Sequence, residues 1–510
     1  MQRTAAVVGA GLTEVGKVYG RSARWLAAEA VRLAVADAGL ALGQIDGLLI
    51  NAGKTSGLDL SLARHLGLRD LRMLSEVNAL GASAGAMVAQ AAMAVLSGAA
   101  SAVACVFADT PRQPGAAAGA AYQQTSLQAT GFRSAETAAG FRSVNHRYAL
   151  AASRYMHTFG VTQDQLGAVA VGQRAWAVHN PAAQMRTPLT LEEYHRSRWI
   201  VEPLHLLDCC LVSNGGAAVV VTTTERAGAL RQPPVQVLGW GQAHPGTLWQ
   251  RGSDFGLVTG AALSGPAALK MAGLAPADID LREIYDCYTY TVLVTLEDYG
   301  FCGKGEAGEL AASGALAPGG ALPTNTGGGQ LSAYYLWGMT PLMEAVTQVR
   351  GQAGARQTAR HRHRQWQRRP ARPPRHSRDG SDPMSTGPAN AARRDEASAP
   401  WFDGLADGVL LIRRCPRCGL HSRPDTAACP ACHAEGLEWV PAAGRGTVVC
   451  VIVEHREQDE VALGLVELDE GPWLAARITD RARATPGARV ELVVVTPDEG
   501  EPFPAFAPIG

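Results

Sequence analysis

An internal repeat is the feature that most restricts the fold of this chain. The segment "AVADAGLALGQIDGLLI", residues 34 to 50, is similar to "ALKMAGLAPADIDLREI", residues 268 to 284. Six residues recur with the same spacing: Ala38, Gly39, Leu40, Ile45, Asp46 and Ile50 in the first segment, and Ala272, Gly273, Leu274, Ile279, Asp280 and Ile284 in the second. We therefore expect the first 350 residues to contain two copies of one structural unit.

Each copy predicts a strand, a helix that ends at an Ala-Gly-Leu cap, and a second strand. The first strands are "AAVVGAG" near the start and "VQVLGWG" from Val235. Alternating strands and helices favour a layered α/β fold. The stretches "NALGASAGA" from Asn78 and "NTGGGQLSA" from Asn325 both place an Asn and small residues before an apolar helix. We therefore expect these two turns to be equivalent.

Composition and charge exclude several classes of protein. The chain is 47% hydrophobic, so it can bury a large core, and its net charge of +0 gives no bulk attraction to nucleic acid or anionic lipid. The N-terminus lacks the regions of a signal peptide, and no apolar run approaches the ~20 residues that span a bilayer. We expect a cytoplasmic protein with no nucleic-acid partner, no membrane span and reduced thiols.

Residues 351–400 break the pattern of the repeat. Between Arg360 and Arg378 the chain has eight arginines, three histidines and neither an acidic nor an aliphatic residue other than alanine, so it cannot bury a core. A solvated linker and a basic tail that binds nucleic acid are two interpretations. A third is a frameshift that joins two adjacent genes, with a second reading frame beginning near Met384.

The C-terminal region begins with two paired cysteines. Cys415 and Cys418 form one CxxC pair, and Cys429 and Cys432 form another. This spacing predicts a closed site for one structural Zn(II), with no open position for catalysis. From residue 445 to the C-terminus, four short apolar segments with turn signals between them predict a small β-barrel.

Residues 1 to 350 resemble the thiolase superfamily, specifically the sterol carrier protein type thiolases and their lipid-transfer-protein relatives. The resemblance depends on "GRSARWLAAEAVRLAVADAGL", "NPAAQMRTPLTLEEY", "PLHLLDCCLVSNGGAAVVV" and "YTVLVTLEDYGFCGKGEAG". It implies a duplicated thiolase fold with α-β-α-β-α layers. The C-terminal region is similar to an OB-fold protein with a rubredoxin-like zinc ribbon, which is the partner of the steroid side-chain aldolases in this superfamily.

Three motifs of the thiolases differ in this chain. Gly81 stands where the family has its acyl-accepting cysteine, and "YDCY", Tyr285 to Tyr288, replaces an Asn-Glu-Ala-Phe motif. The segment "AYYLWG", residues 333 to 338, replaces the region of the catalytic histidine. Without a thiolate or an imidazole base, an ordinary thiolase reaction lacks both its covalent carrier and its proton shuttle.

The altered motifs bring tyrosines, which the aldolase relatives also carry. The resemblance implies that Tyr285 and Tyr335 act as base and acid, in an order that the sequence leaves open, while Asp286 orients them or caps the turn. The opposing interpretation is that the tyrosines only pack. Ser83, Cys287 and Cys302 are alternative nucleophiles, although a small turn residue and buried structural thiols are the plainer interpretations.

The resemblance implies a retro-aldol cleavage of a bulky, steroid-like β-hydroxyacyl-CoA to a ketone and a short acyl-CoA. We expect backbone donors at Gly328 and Gly329, or at the Gly81 turn, to hold the enolate oxygen. The expected substrate contacts are Gly81, Ser83, Asn325, Gly328, Gly329 and Tyr334. An acyltransferase that uses another cysteine and a non-catalytic acyl-CoA carrier are the alternatives.

The expected domains and partners complete the set of predictions. The predicted segments are a first thiolase-like half at 1–230, a second and truncated half at 231–350, a linker or frameshifted segment at 351–400, a zinc ribbon at 401–438 and an OB-type barrel at 439–510. We expect a homodimer through the thiolase-like part and an acyl-CoA hydratase as a further partner.

Overall fold

The computed structural model describes residues 4–54, 57–116, 129–246, 249–358, 391–456 and 459–509. The first half consists of β1 (Ala5–Leu12), α1 (Ala23–Ala38), β2 (Gly47–Asn51), α2 (Leu62–Leu66), β3 (Met73–Glu76), α3 (Ser83–Ser97), β4 (Ala102–Asp109), α4 (Phe132–Ala139), α5 (Val144–Phe159), α6 (Gln163–Ala177), α7 (Leu191–Arg196), β5 (Trp199–Val201), β6 (Leu204–His205), β7 (Gly215–Thr223) and α8 (Thr224–Ala227).

The second half and the C-terminal region follow. The second half consists of β8 (Val235–Val237), α9 (Ala261–Ala272), α10 (Thr289–Asp298), α11 (Ala307–Ala312), a π-helical turn (Gly329–Ala333) and α12 (Met339–Val349). The C-terminal region consists of α13 (Ala399–Ala406), β9 (Leu411–Arg414), β10 (His421–Ser422), β11 (Glu438–Pro441), β12 (Arg445–His455), β13 (Glu460–Leu468), β14 (Trp473–Ile478), β15 (Arg489–Val495) and β16 (Phe503–Pro508).

One mixed sheet forms the centre of the first half. Its strand order is β3-β2-β4-β7-β1-β8, with parallel pairing between β2 and its two neighbours and antiparallel pairing from β4 to β8. Helix α1 packs closely on β1 because a Cβ at Gly9 would lie 2.0 Å from the Ala34 carbonyl oxygen. The predicted cap is confirmed, since Gly39 ends α1 in the left-handed conformation.

The second half repeats the helix and its cap but not the sheet. Helix α9 ends at Ala272 with Gly273 at φ 65. Strand β8 joins the sheet of the first half beside β1. The expected second strand, which ends at Ile284, is reduced to one parallel bridge between Arg282 and Thr324 among the described residues. A strand needs partners on both edges to be buried in a sheet, and the described residues of this half supply a partner on one side only.

The C-terminal region forms a ribbon and a closed barrel. The ribbon sheet has the order β10-β9-β11, and the barrel has the order β12-β13-β14-β16-β15. The four segments predicted as strands are β12 to β15, whereas β16 completes the barrel without having been predicted. The zinc ribbon and OB-type barrel of the predicted fold are thereby confirmed. The Arg-rich segment from Arg360 to Arg378 and Met384 lie outside the described residues.

The barrel packs on both halves of the thiolase-like part rather than standing apart. Trp473 N–H donates to the Trp249 carbonyl at 2.8 Å, and Ser153 Oγ donates to the Val451 carbonyl at 2.7 Å. Arg423 of the ribbon also pairs with Glu136 of α4 at 3.0 Å. Apolar residues of both parts belong to one continuous core, so the C-terminal region is integrated into the fold.

One described stretch does approach the length of a membrane span, contrary to the expectation from sequence. Leu80–Ser97 has 18 residues with a mean hydropathy of 1.5. Helix α3 within it lies against the central sheet, and 67% of the stretch is buried inside the protein. Its apolar composition is therefore accounted for by core packing.

Candidate active site

The ring of Tyr285 occupies the space above Gly81. A Cβ on Gly81 would lie 2.3 Å from Cζ of Tyr285 and 2.6 and 2.7 Å from the two Cε atoms. Such contacts are far below van der Waals distance, so a side chain at position 81 and this placement of the ring exclude each other. The absence of a side chain at Gly81 is thus what admits the phenol.

The hydroxyl of Tyr285 meets that of Tyr335, with 3.2 Å between the two oxygens. Tyr335 is only partly buried, and its backbone N–H donates to Ser213 Oγ at 3.0 Å. Burial raises the pKa of Tyr285 well above that of a free phenol, and the hydrogen bond from Tyr335 opposes the rise. Tyr285 is therefore a neutral phenol at pH 7, and its hydroxyl is hydrogen-bonded to that of the more accessible Tyr335.

Two turns of matching shape bring the halves together at this pair. Leu80 and Trp337 have φ values of 49 and 50, and each is flanked by a bridge, between Ala79 and Gly81 in one turn and between Leu336 and Gly338 in the other. A hydroxyl closes each turn, because Ala79 N–H donates to Ser83 Oγ at 2.8 Å and Leu336 N–H donates to Thr340 Oγ1 at 3.0 Å. The two turns are structural counterparts.

This correspondence corrects the pairing expected from sequence. The counterpart of the turn at Asn78 begins at Tyr335, not at Asn325. Asn325 instead lies beside the bridge between Arg282 and Thr324, and the π-helical turn Gly329–Ala333 separates it from the true counterpart. The similar composition of the two stretches hid this inserted turn.

The N-termini of two helices meet at the tyrosine pair. Helix α3 begins two residues after Gly81 and helix α12 begins directly after Gly338. The turns touch, since a Cβ on Gly338 would lie 2.4 Å from the Gly81 carbonyl oxygen. Helix N-termini carry a partial positive charge of about half an elementary charge, which favours an oxyanion nearby.

Asp286 holds a loop and does not contact the phenols through any described hydrogen bond. Its carboxylate accepts from the backbone N–H of Gln330 at 2.8 Å, from Gln330 Nε2 at 3.1 Å and from the N–H of Leu331 at 3.4 Å. Burial raises the pKa of Asp286 to about 6, and these hydrogen bonds limit the rise. Of the two predicted roles, the contacts support the cap of the turn.

The side chains of Ser83 and Asn325 also form hydrogen bonds with the backbone. Ser83 Oγ donates to the Leu80 carbonyl at 2.6 Å, and Ile284 N–H donates to Asn325 Oδ1 at 2.7 Å. Both side chains are buried. Ser83 therefore stabilises the turn beside the site, and Asn325 fixes the chain that leads into Tyr285.

The described surroundings of Gly328, Gly329 and Tyr334 do not include the two phenols. A Cβ on Gly328 would meet Ala177, and one on Gly329 would meet Asp286 Oδ2 at 2.0 Å, so both glycines are explained by packing. Gly328 N–H already donates to the Asn325 carbonyl at 2.8 Å. Tyr334 lines a separate cavity.

Two further aromatic residues, Tyr148 and Tyr288, adjoin the pair. Their ring centroids are 4.3 Å apart, and the Tyr288 hydroxyl donates to Asn145 Oδ1 at 2.5 Å. Tyr148 hydrogen-bonds Cys287 and lies close enough to Tyr335 for their charges to interact. Tyr148 carries no signal in the sequence, because its position on α5 does not indicate which turn it packs against.

The four predicted metal ligands come together in the ribbon. Sulfur atoms of Cys415 and Cys432 are 3.6 Å apart, those of Cys418 and Cys429 are 3.5 Å apart, and all four lie within 4.8 Å of one another. Sulfurs at about 2.3 Å from a tetrahedral Zn(II) would be separated by roughly 3.8 Å, so the set fits this ion.

Comparison with known proteins agrees with this architecture. Residues 5–225 match the family "Thiolase, N-terminal domain" and residues 241–367 match "Thiolase C-terminal domain-like". A steroid side-chain-cleaving aldolase from Thermomonospora curvata is 41% identical over 360 residues, which cover 68% of this chain and 90% of the relative. The chain belongs to the thiolase superfamily.

Other relatives place this thiolase-superfamily chain near the same group. The 17-hydroxy-3-oxo-4-pregnene-20-carboxyl-CoA lyase of Mycobacterium tuberculosis is 40% identical over 68% of this chain and 92% of the relative. An acetyl-CoA acetyltransferase from Methanothermobacter thermautotrophicus is 32% identical over 70% and 93%. A solved "Ltp2-ChsH2(DUF35) aldolase" superposes with a TM-score of 0.62 and 40% identity over 69% of this chain and 92% of that one.

The C-terminal region has its own matches. Residues 402–438 match "ChsH2, rubredoxin-like zinc ribbon domain" and residues 439–495 match "ChsH2, C-terminal OB-fold domain". A monomeric SCP2-thiolase like protein from Mycobacterium smegmatis covers 99% of both chains with a TM-score of 0.64, and at 16% identity it supports the fold alone.

The remaining thiols of this thiolase-superfamily chain are poor nucleophiles. Burial raises the pKa of Cys287 and that of Cys302 to about 12. The Cys287 thiol lies near Tyr285 and hydrogen-bonds Tyr148, whereas the Cys302 thiol lies near the carboxylates of Glu297 and Glu306. Because the thiolate is the reactive form, neither thiol is suited to carry an acyl group at neutral pH.

Proposed function

We propose that the protein is an acyl-CoA carbon-carbon lyase, which cleaves a bulky, steroid-like β-hydroxyacyl-CoA by a retro-aldol reaction to a ketone and a short acyl-CoA. The observation that carries the proposal is the pair of phenols 3.2 Å apart in the space above Gly81, where a thiolase would hold its cysteine. The names of two relatives, a side-chain-cleaving aldolase and a carboxyl-CoA lyase, support the reaction and substrate class.

A single proton suffices for the whole reaction. The β-hydroxyl loses its proton, the bond between Cβ and Cα breaks, its electrons form the thioester enolate, and Cα regains one proton. We assign proton removal to Tyr335, which is partly exposed, and protonation of Cα to Tyr285, whose raised pKa keeps it neutral. Their hydrogen bond lets the proton pass between them, so the pair ends as it began.

The enolate oxygen is best held at the Gly81 turn. Gly328 N–H donates to the Asn325 carbonyl at 2.8 Å and is therefore not free to bind the enolate oxygen. The N-termini of α3 and α12 converge at the Gly81 turn and favour developing negative charge. Asp286 acts as a positioning residue through Gln330 and Leu331.

Product analysis tests this proposal. The purified chain is incubated with 17-hydroxy-3-oxo-4-pregnene-20-carboxyl-CoA, and mass spectrometry is expected to find a steroid ketone and a short acyl-CoA in equal amounts. A parallel incubation with a radiolabelled acyl-CoA separates the alternatives. Label that stays on the denatured protein would indicate an acyltransferase, and intact substrate with bound CoA ester would indicate a carrier; either result would overturn the lyase.

The ribbon is proposed to hold one Zn(II) through Cys415, Cys418, Cys429 and Cys432, and to have a structural role. A ribbon with so small a core draws most of its folding free energy from the metal. Because Arg423 joins the ribbon to α4 and the barrel packs on α5, loss of the metal is expected to disturb this assembly. Chelated protein that loses one Zn(II) per chain yet keeps full cleavage activity would contradict the supporting role.

Other expectations remain proposals. The domain boundaries at 230, 350, 400 and 438 stay predictions, and the match to the thiolase C-terminal domain extends past 350 to residue 367. A homodimer through the thiolase-like part, a hydratase partner and a cytoplasmic location are further predictions. Mass spectrometry of the native protein would show either one chain or two shorter polypeptides. Two polypeptides would mean that a frameshift joins two adjacent genes in the given sequence.

A further inference from the structure

Helix α5 lies between the barrel and the segment that carries Tyr285. On one face of the helix, Ser153 Oγ donates to the Val451 carbonyl of β12 at 2.7 Å. His146 Nε2 lies 3.3 Å from Glu454 Oε1 of the same strand. Because His146 and Ser153 are two helical turns apart, both contacts belong to one face of α5. The barrel therefore supports α5 over about two turns.

A second face of α5 contacts the end of the segment Tyr285–Tyr288. Asn145 Oδ1 accepts a hydrogen bond from the Tyr288 hydroxyl at 2.5 Å. One turn further along the helix, the ring of Tyr148 packs on that of Tyr288, with 4.3 Å between the centroids and 33° between the planes. The Tyr148 hydroxyl donates to the Cys287 thiol. This face of α5 thus holds the last two residues of the segment.

The contact between the two proposed catalytic phenols tolerates little displacement. The oxygens of Tyr285 and Tyr335 are 3.2 Å apart, whereas an O–H···O hydrogen bond usually spans about 2.5 to 3.0 Å. Tyr285 begins the segment that α5 holds, and Asp286 ties the same segment to the π-helical turn by accepting from Gln330 N–H at 2.8 Å. A small shift of the segment would therefore lengthen the contact beyond hydrogen-bonding range.

The two tyrosines of α5 differ in what they contact. Tyr148 is partly buried and is close enough to Tyr285 and Tyr335 for their charges to interact. Tyr155 is fully buried, and its hydroxyl donates to Glu297 of α10. Of these two residues, Tyr148 is therefore the one that the described contacts connect to the tyrosine pair.

We propose that Tyr148 is a positioning residue for the tyrosine pair, which acts through Cys287 and Tyr288 to fix the backbone that carries Tyr285. The inference rests on the proposed lyase function, because the pair that Tyr148 positions is the proposed acid and base. The barrel supports α5 from its other face, so the residue that holds the segment is itself anchored. The opposing interpretation is that Tyr148 only fills space, in which case its hydroxyl would be dispensable.

Steady-state cleavage of 17-hydroxy-3-oxo-4-pregnene-20-carboxyl-CoA by the full chain tests this role. Tyr148→Phe keeps the ring on Tyr288 but loses the hydrogen bond to Cys287, so kcat should fall by about fivefold to tenfold. KM should stay within about twofold of the wild type, because proton transfer rather than substrate binding is impaired. Tyr155→Phe removes a buried hydroxyl from the same helix and should keep the wild-type kcat. Wild-type kcat in Tyr148→Phe would overturn the proposal.

A double-mutant cycle assigns the effect to the hydrogen bond. Cys287→Ala removes the acceptor, so kcat should fall about as much as in Tyr148→Phe. The combined variant should lose little more than either single variant, because both substitutions remove the same interaction. Losses that multiply would show that the two residues act independently, which contradicts the proposed link.

Fluorine NMR separates this proposal from the lyase function. The full chain is labelled with 3-fluorotyrosine, and the Tyr285→Phe variant assigns the resonance of Tyr285. Tyr148→Phe should shift this resonance, whereas Tyr155→Phe should leave it unchanged. If the wild type cleaves no substrate but the shift is seen, the lyase function fails and the positioning role stands. If the wild type cleaves its substrate and the resonance does not move in Tyr148→Phe, the positioning role is wrong and the lyase function stands.

Discussion

The two halves of the thiolase-like part organise the same turn by different means. In the first half, the turn at Gly81 follows β3 of a sheet whose strands pair over many residues. In the second half, the described residues between β8 and the turn at Gly338 make only isolated strand bridges, and buried polar side chains take over the role of the sheet. Both proposed catalytic tyrosines belong to the second half.

This difference teaches how a site is fixed where backbone ladders are few. Asn325 accepts from the backbone before Tyr285, Asp286 holds the π-helical turn, and Ser213 of the first half accepts from the backbone of Tyr335. A side-chain hydrogen bond contributes only about 1 kcal/mol net, but an unpaired buried donor costs about 1 to 3 kcal/mol. The second half should therefore be more sensitive to single polar substitutions.

The largest expected effect is on catalysis within the second half. Tyr285→Phe and Tyr335→Phe should each lower turnover by roughly 10² to 10⁴, because each removes a general acid or base. Affinity for the CoA ester should change little. Tyr334→Phe is the matched control, since this neighbouring phenol lines the other cavity and should leave turnover near that of the wild type. Steady-state kinetics measures turnover and affinity for each variant. Wild-type turnover in the first two variants would show that both tyrosines only pack.

Substitutions at the two counterpart glycines, Gly81 and Gly338, should have different effects on activity and stability. Gly81→Cys would push the ring of Tyr285 aside, so cleavage should fall by at least about tenfold, and no thiolase activity should appear because a histidine base is still missing. Gly338→Ala instead brings a Cβ against the backbone oxygen of Gly81, which cannot rotate away, so the stability should fall by about 1 to 3 kcal/mol.

Activity assays and urea unfolding of both glycine variants check this contrast. The Gly81→Cys variant should unfold at nearly the urea concentration of the wild type, because a side chain can yield where a backbone cannot. Thiolysis of a β-ketoacyl-CoA by Gly81→Cys would contradict the prediction, as would full cleavage activity in that variant.

The polar anchors of the two halves should differ in their contribution to stability. Asp286→Ala leaves two donors of Gln330 and one of Leu331 unpaired, so the free energy of unfolding should fall by about 3 kcal/mol. Asn51→Ala removes one hydrogen bond, from Nδ2 to the Val77 carbonyl at 2.8 Å, beside an intact sheet, and should cost about 1 kcal/mol. Equal losses in denaturant unfolding would show that the sheet gives the first half no advantage.

Both halves should also share a pH dependence of stability. Burial raises the pKa of Asp208 and that of Asp286 from the usual 3.8 to about 6. A folded state with the higher pKa holds its proton more tightly, so the contribution of each group is fully present below pH 4 and is lost as pH rises through 6. The full change is about 3 kcal/mol per group, and the step from pH 5 to pH 6 is about 1 kcal/mol.

Variants that cannot titrate isolate this pH dependence. The stability of the wild type relative to Asp286→Asn should decline between pH 4 and pH 7, and the difference relative to Asp208→Asn should decline in the same window. Urea unfolding at several pH values measures both differences. A difference that stays constant with pH for either residue would show that its carboxyl does not hold a proton more tightly in the folded state.

Local sequence patterns predicted much of the fold and several residues of the candidate site. The Ala-Gly-Leu repeats gave the ends of α1 and α9, since a left-handed glycine ends a helix whatever surrounds it. The CxxC pairs predicted the cluster of four cysteines because ligand spacing in a knuckle is a local property. The absent cysteine and the nearby tyrosines were likewise visible in the chain, as were four of the five barrel strands.

Only the tertiary structure decided what depends on contacts between distant segments. It placed the Tyr285 ring above Gly81, paired the turn at Ala79 with that at Leu336, and gave Asp286 to the backbone of Gln330. It also joined β8 to the first-half sheet and placed Tyr148 of α5 against Tyr288. Spacing along a chain fixes caps and knuckles, but which side chains share a space is settled by how separate elements pack.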